Sequence, residues 1–145
     1  NRLKHAVRDA VRADIVDNAV ASALYRNAKI GLNLYRTSKG PTTRADAHIG
    51  HAESLSPRAY ELAACGAFHL SEYRAEVAER FGDLVPTFRT PLEAETLIRR
   101  WLSDDAGRAR VSAELPARVA AASWVDRAGV VLDDMTRLIE ATRAA

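Results

Sequence analysis

The sequence predicts an α/β fold: a small parallel, Rossmann-like sheet finished by a helical C-terminal tail. Two observations predict it. Short apolar runs at 30–35, 67–70 and 84–88 alternate with segments of helical period. The intervening helices carry their own start and stop residues. Strands separated by helices pair in parallel through right-handed crossovers. Three strands are few for a doubly wound sheet, so either the sheet is small or further strands lie upstream of Asn1.

Each element follows from its residues. Residues 3–28 read as helix, with Val7, Val11, Ile15 and Val16 on one face and Val20, Leu24 and Tyr25 continuing the pattern. Asp17-Asn18 is placed to break it in two, and 1–28 form an N-terminal helical region. The run Ile30-Gly31-Leu32-Asn33-Leu34-Tyr35 suits a buried strand. A polar stretch from Arg36 to Leu55 follows, with Gly40-Pro41, Thr42, Thr43 and Gly50 as turn formers. Loops of that length in compact domains are usually functional or mobile.

Ser56 stands where an N-cap is needed, Pro57 at the first helical position, and Gly66 where a left-handed C-terminal turn ends the helix. Residues 67–70 are the second strand and 73–81 a short helix. The third strand, 84–88, is weakened by Pro86. Thr90-Pro91-Leu92-Glu93 is a capping box. A helix to Leu102 follows, then one after Ser103 that Pro116 should disturb, then one over 123–143 that Ser123 opens. Trp124, Ala128, Val131, Leu132, Met135, Leu138 and Ile139 make a helical stripe in the last, expected to pack in the core or against another domain.

The chain of 145 residues is a single domain with one core. Its net charge of +2 and mixed acids and bases argue against nucleic acid as partner. The densest basic run, Arg2, Lys4, Arg8 and Arg12, reads as a solvated helix face. One cysteine, Cys65, excludes an internal disulfide and fits a reducing, cytoplasmic setting, where it serves as a small packing residue. No apolar run reaches the roughly 20 residues of a membrane span. The opening Asn1 is consistent with a domain excised from a larger protein.

The informative segment is Glu53-Ser-Leu-Ser-Pro-Arg-Ala-Tyr-Glu61-Leu-Ala-Ala-Cys-Gly66. Glu53 precedes a helix N-terminus, and Glu61 lies one turn in, beneath Pro57 on the same face. Two carboxylates can thus converge outside the C-terminal end of a strand, where open α/β sheets bind ligands. Backbone N–H groups near residues 56–59 suit anionic oxygens. Carboxylates suit the paired hydroxyls of a sugar. Read from composition alone, two glutamates at this spacing are also what a solvated helix surface carries.

This segment resembles the E-x7-E motif and following A-C-G of GT-B glycosyltransferases. The runs "AKIGLNLYR", "SPRAYELAACGAFHLSEYRAEVAERFGD" and "ASWVDRAGVVLDDM" are similar to the spore-maturation-type group of family 1-like glycosyltransferases, over 21–135. The resemblance implies a donor-binding C-terminal half that holds a nucleotide-diphosphate sugar as substrate, with no cofactor and no metal, and that needs an N-terminal acceptor domain or partner chain. It implies that Glu61 binds the ribose hydroxyls and that Glu53 lies near the sugar as the catalytic residue. Ser54, Leu55 and Ser56 would approach sugar and phosphates through their backbone, with Arg58 a phosphate partner. Relatives often have glycine shortly after the first glutamate, where this chain has Ser54-Leu55-Ser56. Arg36, Lys39 and Arg44 are further phosphate candidates, weighed against solvated loop charges. His48 and His51 lack a third ligand and read as loop residues; either can be a general base if it reaches the cleft. Tyr60 and Tyr73 suit packing or base stacking. Two rival readings remain: a non-catalytic binding or structural module that keeps the fold, and a helical nucleic-acid-binding adaptor built on the basic N-terminal run.

Overall fold

Side-chain caps and turn glycines decide where the elements begin and end. The computed structural model describes residues 15–35 and 54–144. Asp17 caps helix α1 (Asn18–Asn27) by accepting the Val20 N–H at 2.8 Å, so the foreseen break at Asp17-Asn18 is a helix start. Strand β1 is Gly31–Asn33 and helix α2 is Pro57–Ala64, with Pro57 at its first position. The end of α2 is a Schellman turn: Gly66 donates to Ala63 O and Ala67 to Leu62 O, both at 2.9 Å, with Gly66 at φ +63°. Strand β2 (His69–Glu72), helix α3 (Ala75–Phe81) and a 3-10 turn (Gly82–Leu84) lead to strand β3 (Thr87–Phe88). Helix α4 (Pro91–Leu102) follows the expected Thr90 cap, and α5 is Asp105–Val119. The C-terminal helix α6 is Trp124–Ala144.

The three strands form one parallel sheet in the order β1-β2-β3, an α/β Rossmann-like arrangement with flanking helices. Gly31 pairs with His69 and Asn33 with Ser71, while Ser71 pairs with Thr87 and Glu72 with Phe88. β1 and β3 are shorter than their apolar runs and β2 is shifted along its own, for local reasons. Tyr35 leaves the ladder because its N–H bonds the Glu72 carboxylate at 2.7 Å. Ala67 is still completing the Schellman turn, so β2 begins at His69 and extends to Glu72. Leu84 belongs to the 3-10 turn, and Pro86, which cannot donate to a ladder, stands just before β3.

Central strand β2 is buried at His69, Leu70 and Ser71. Around it pack Phe68, Val77, Phe81, Val85, Trp101, Val111 and Leu115. Fully burying one such aliphatic or aromatic side chain contributes about 1.5–3 kcal/mol. Ala59 and Ala63 let α2 lie close on the core. Pro116 stays inside α5 rather than ending it. Lacking an N–H, it cannot occupy the Ser112 carbonyl, and that carbonyl faces Gly66, where an added Cβ would stand 3.1 Å away. Buried Arg108 ties the end of α4 to the start of α5 through the Trp101 carbonyl and Asp105.

Helix α6 opens on a reciprocal cap: Ser123 N–H donates to Asp126 and Asp126 N–H to Ser123 Oγ. Its apolar stripe does not enter this core. Trp124 is 80% exposed, and Val131, Leu132, Met135, Leu138 and Ile139 are exposed too. Of the two expected fates of the stripe, core packing is excluded within the described residues.

Candidate functional site

The C-terminal end of β1 and the N-terminal end of α2 meet over a cavity of about 570 Å³. Asn33, Tyr35, Ser56, Pro57, Arg58 and Glu61 line it. This is the sheet edge at which α/β folds receive ligands. Two larger cavities, about 710 Å³ beside Tyr60, Val119 and Trp124 and about 830 Å³ beside Phe88 and Ile98, are mostly apolar. The smaller one is where hydrogen-bonding side chains converge.

Glu61 projects from the second turn of α2 and is exposed. Its Oε2 stands 3.5 Å from the Tyr25 hydroxyl and 3.8 Å from Arg58 Nε. Both contacts are long, and an exposed pair of this kind is worth little. Oε1 has no partner among the described residues. The carboxylate is therefore presented to the cavity with most of its accepting capacity unused. Arg58, exposed and one turn earlier, leaves its guanidinium largely free to meet an anion.

Beneath them lies a buried polar hub. Asn33, at the end of β1, is 1% exposed. Its Nδ2 donates to Ser71 Oγ at 3.1 Å and to Tyr35 Oη at 3.2 Å, and its Oδ1 accepts from Ser56 Oγ at 3.0 Å. Ser71 Oγ in turn donates to Glu72 O at 2.8 Å. The Arg74 guanidinium lies 4.4 Å from the Tyr35 ring centroid and fixes the ring from outside. Glu76 of α3 holds the approach to α2, accepting the Leu55 N–H at 2.7 Å and the Tyr60 hydroxyl at 3.3 Å.

The structure thus brings Ser56, Arg58 and Glu61 to one cavity, with Leu55 behind them and Ser54 exposed just before the helix. Ser56 takes the N-cap position as expected but does not cap: its hydroxyl is turned to donate to Asn33 Oδ1, and no side-chain bond closes the helix end. Glu53, Arg36, Lys39, Arg44, His48 and His51 lie outside the described residues. Tyr60 is half-buried against the core, and Tyr73 lies under the Arg89 guanidinium at 3.5 Å. Cys65 Sγ is 3.5 Å from Ser22 Oγ, a packing contact between α2 and α1. Among the described residues, no group of three or more His, Cys, Asp or Glu is placed to hold a metal ion. No described helix is long and apolar enough to cross a membrane.

Sequence reasoning missed Asn33, Tyr35, Ser71, Glu72 and Glu76. One signal was available: Asn33 is the polar residue inside an otherwise apolar strand run, and a buried polar side chain must be bonded. The two glutamates gave none, because their partners, the Tyr35 and Leu55 N–H groups and the Tyr60 hydroxyl, lie far along the chain.

A family model described as glycosyl transferase-like matches residues 4–133. No curated protein and no solved structure matches the chain.

Proposed function

Because this chain belongs to the glycosyl transferase-like family, we propose that the cavity between β1 and α2 holds a nucleotide-diphosphate sugar as the donor for glycosyl transfer. The observation that carries the reading is Glu61, whose under-used carboxylate shares a polar cavity with Arg58 and the start of α2. In this reading Glu61 accepts the two ribose hydroxyls. Arg58 and the first-turn N–H dipoles take the diphosphate, with Ser54, Leu55 and Ser56 lining its path. Charge builds on the departing nucleoside diphosphate as the sugar leaves, and fixed donors and cations at that position lower the barrier. Glu53 stands near the sugar, and Arg36, Lys39 and Arg44 add phosphate contacts.

The finer assignment, on the E-x7-E resemblance, is the C-terminal half of a GT-B hexosyltransferase of the spore-maturation type, cytoplasmic and working with an acceptor-binding domain or chain. The bare apolar stripe of α6 supports such a second body, since contiguous exposed apolar surface marks a contact site.

The test is calorimetric titration of uridine, guanosine and thymidine diphosphates into wild-type and Glu61→Ala protein, with melting temperature followed in parallel. Charge-assisted hydrogen bonds are worth about 1.5–3 kcal/mol each, so the substitution is expected to weaken binding at least tenfold. Melting should hardly move, because an exposed glutamate lacks strong partners. Unchanged affinity in Glu61→Ala would remove Glu61 from the site. Failure of every nucleotide to bind the native full-length protein would leave a non-catalytic module as the better reading.

A further inference from the structure

We infer that Asn33 is a positioning residue that holds the Ser56 hydroxyl away from the N-terminus of α2, so that the helix end stays open to a diphosphate. The inference rests on the donor-site reading above and adds to it the residue that keeps the site available.

The argument starts from a bond that is absent where the sequence demands one. Ser56 has the extended backbone of an N-cap, φ −79° and ψ 154°, ahead of Pro57. From there a serine hydroxyl ordinarily accepts the N–H of the second or third helical residue. Pro57 has no N–H, and the Ala59 N–H turns back to Ser56 O at 3.0 Å. The Arg58 N–H is left as the donor a cap would take. By contrast, Thr90, which also stands before a proline, caps α4 by accepting the Glu93 N–H at 3.2 Å. The same local pattern therefore caps one helix and leaves the other uncapped.

The difference is Asn33. Its Oδ1 accepts from Ser56 Oγ at 3.0 Å, and it cannot drift, because Nδ2 is anchored to Ser71 Oγ and Tyr35 Oη. It is buried to 1% exposure, so water cannot replace Ser56, and losing that partner leaves a buried acceptor unpaired. The Ser56 rotamer is thus set by the sheet rather than by the helix. The uncapped end opens on the cavity that Arg58 and Glu61 also line, so an anion there meets a guanidinium and an unspent N–H together.

Three variants of the native full-length protein test this: Asn33→Ala, Ser56→Ala and the double variant. The probes are inorganic pyrophosphate and uridine, guanosine and thymidine diphosphates, read by calorimetry. Exchange of the Arg58 amide is read by NMR without ligand. In Asn33→Ala the freed hydroxyl turns to the Arg58 N–H, so that amide should exchange about tenfold slower and diphosphate affinity should fall about tenfold. Ser56→Ala should leave the Arg58 amide exchanging as fast as in wild type, since no cap is lost. The double variant should recover both the fast Arg58 exchange and the affinity while melting lower than wild type. A purely structural role for Asn33 predicts the opposite, with affinity lost in step with stability and no recovery. Unchanged Arg58 exchange in Asn33→Ala overturns the inference whatever binds. The expected exchange pattern with no probe bound by any variant overturns the diphosphate assignment and the donor-site reading, while the hold on Ser56 stands.

Discussion

At residue scale, the most consequential side chain away from the cavity is His69. It is fully buried at the start of β2, with Nδ1 2.9 Å from Ala67 O and the ring edge-on to Phe81. Nε2 has no partner among the described residues. Burial pushes its pKa below the ordinary 6.5, opposed only in part by the Ala67 carbonyl. Sign matters here. The unfolded chain takes a proton as pH falls through about 6.5, while the folded chain resists it, so acid stabilises the unfolded state. Stability contributed by the neutral ring is complete above about 6.5 and declines below it. Chemical denaturation of wild type and His69→Leu across that range checks this: the wild-type curve should fall more steeply toward acid. Parallel curves would mean that the buried imidazole is not the group responsible. Asn33 shows how polar burial is made tolerable instead, with two bonds donated by its amide nitrogen and one accepted by its amide oxygen.

At the scale of elements, α2 is the part of the molecule that sequence described best. Its proline start, its glycine stop and the alanines that allow close packing were all readable, because each acts through its immediate neighbours. Gly66 is the sharper case. Its φ of +63° disfavours any side chain, and a Cβ would meet Ser112 O at 3.1 Å. Gly66→Ala is therefore expected to cost about 1–2 kcal/mol from the backbone alone, lowering the melting temperature by several degrees. Differential scanning calorimetry reads this directly, and an unchanged melting temperature would show that the Schellman turn can relax. What sequence could not show was the fate of the Ser56 hydroxyl or the reach of Glu76 to Leu55. Those depend on strands and helices being brought together, which local spacing does not encode. Strand limits were similarly set by competitors for backbone donors, as when Glu72 captures Tyr35.

For the whole molecule, the parallel α/β class was legible because alternation of element types constrains topology strongly. The apolar stripe of α6 was legible as a stripe but not in its destination, since periodicity says which face is apolar and not what covers it. The candidate site was half legible. Glu61, Arg58 and Ser56 were found through one linear motif, whereas the hub beneath them is spread over two strands and a helix start.

The parallel register has a kinetic corollary. Asn33 meets Ser71 across 38 positions of chain, whereas Ser71 reaches its partner Thr87 over fewer than half as many. Closing the longer loop costs roughly 0.5–1 kcal/mol more in chain entropy, so β2, β3 and α4 are expected to come together early and β1 to dock late. β1 is an edge of this sheet, paired on one side only, and it is expected to open before central β2, carrying Asn33 with it. Native-state hydrogen exchange should find the β1 amides opening at lower free energy than that of Leu70 in central β2; equal protection would show one cooperative unit. On that order the cavity is expected to close only once most of the core is in place, leaving the chain largely folded while still blind to its ligand.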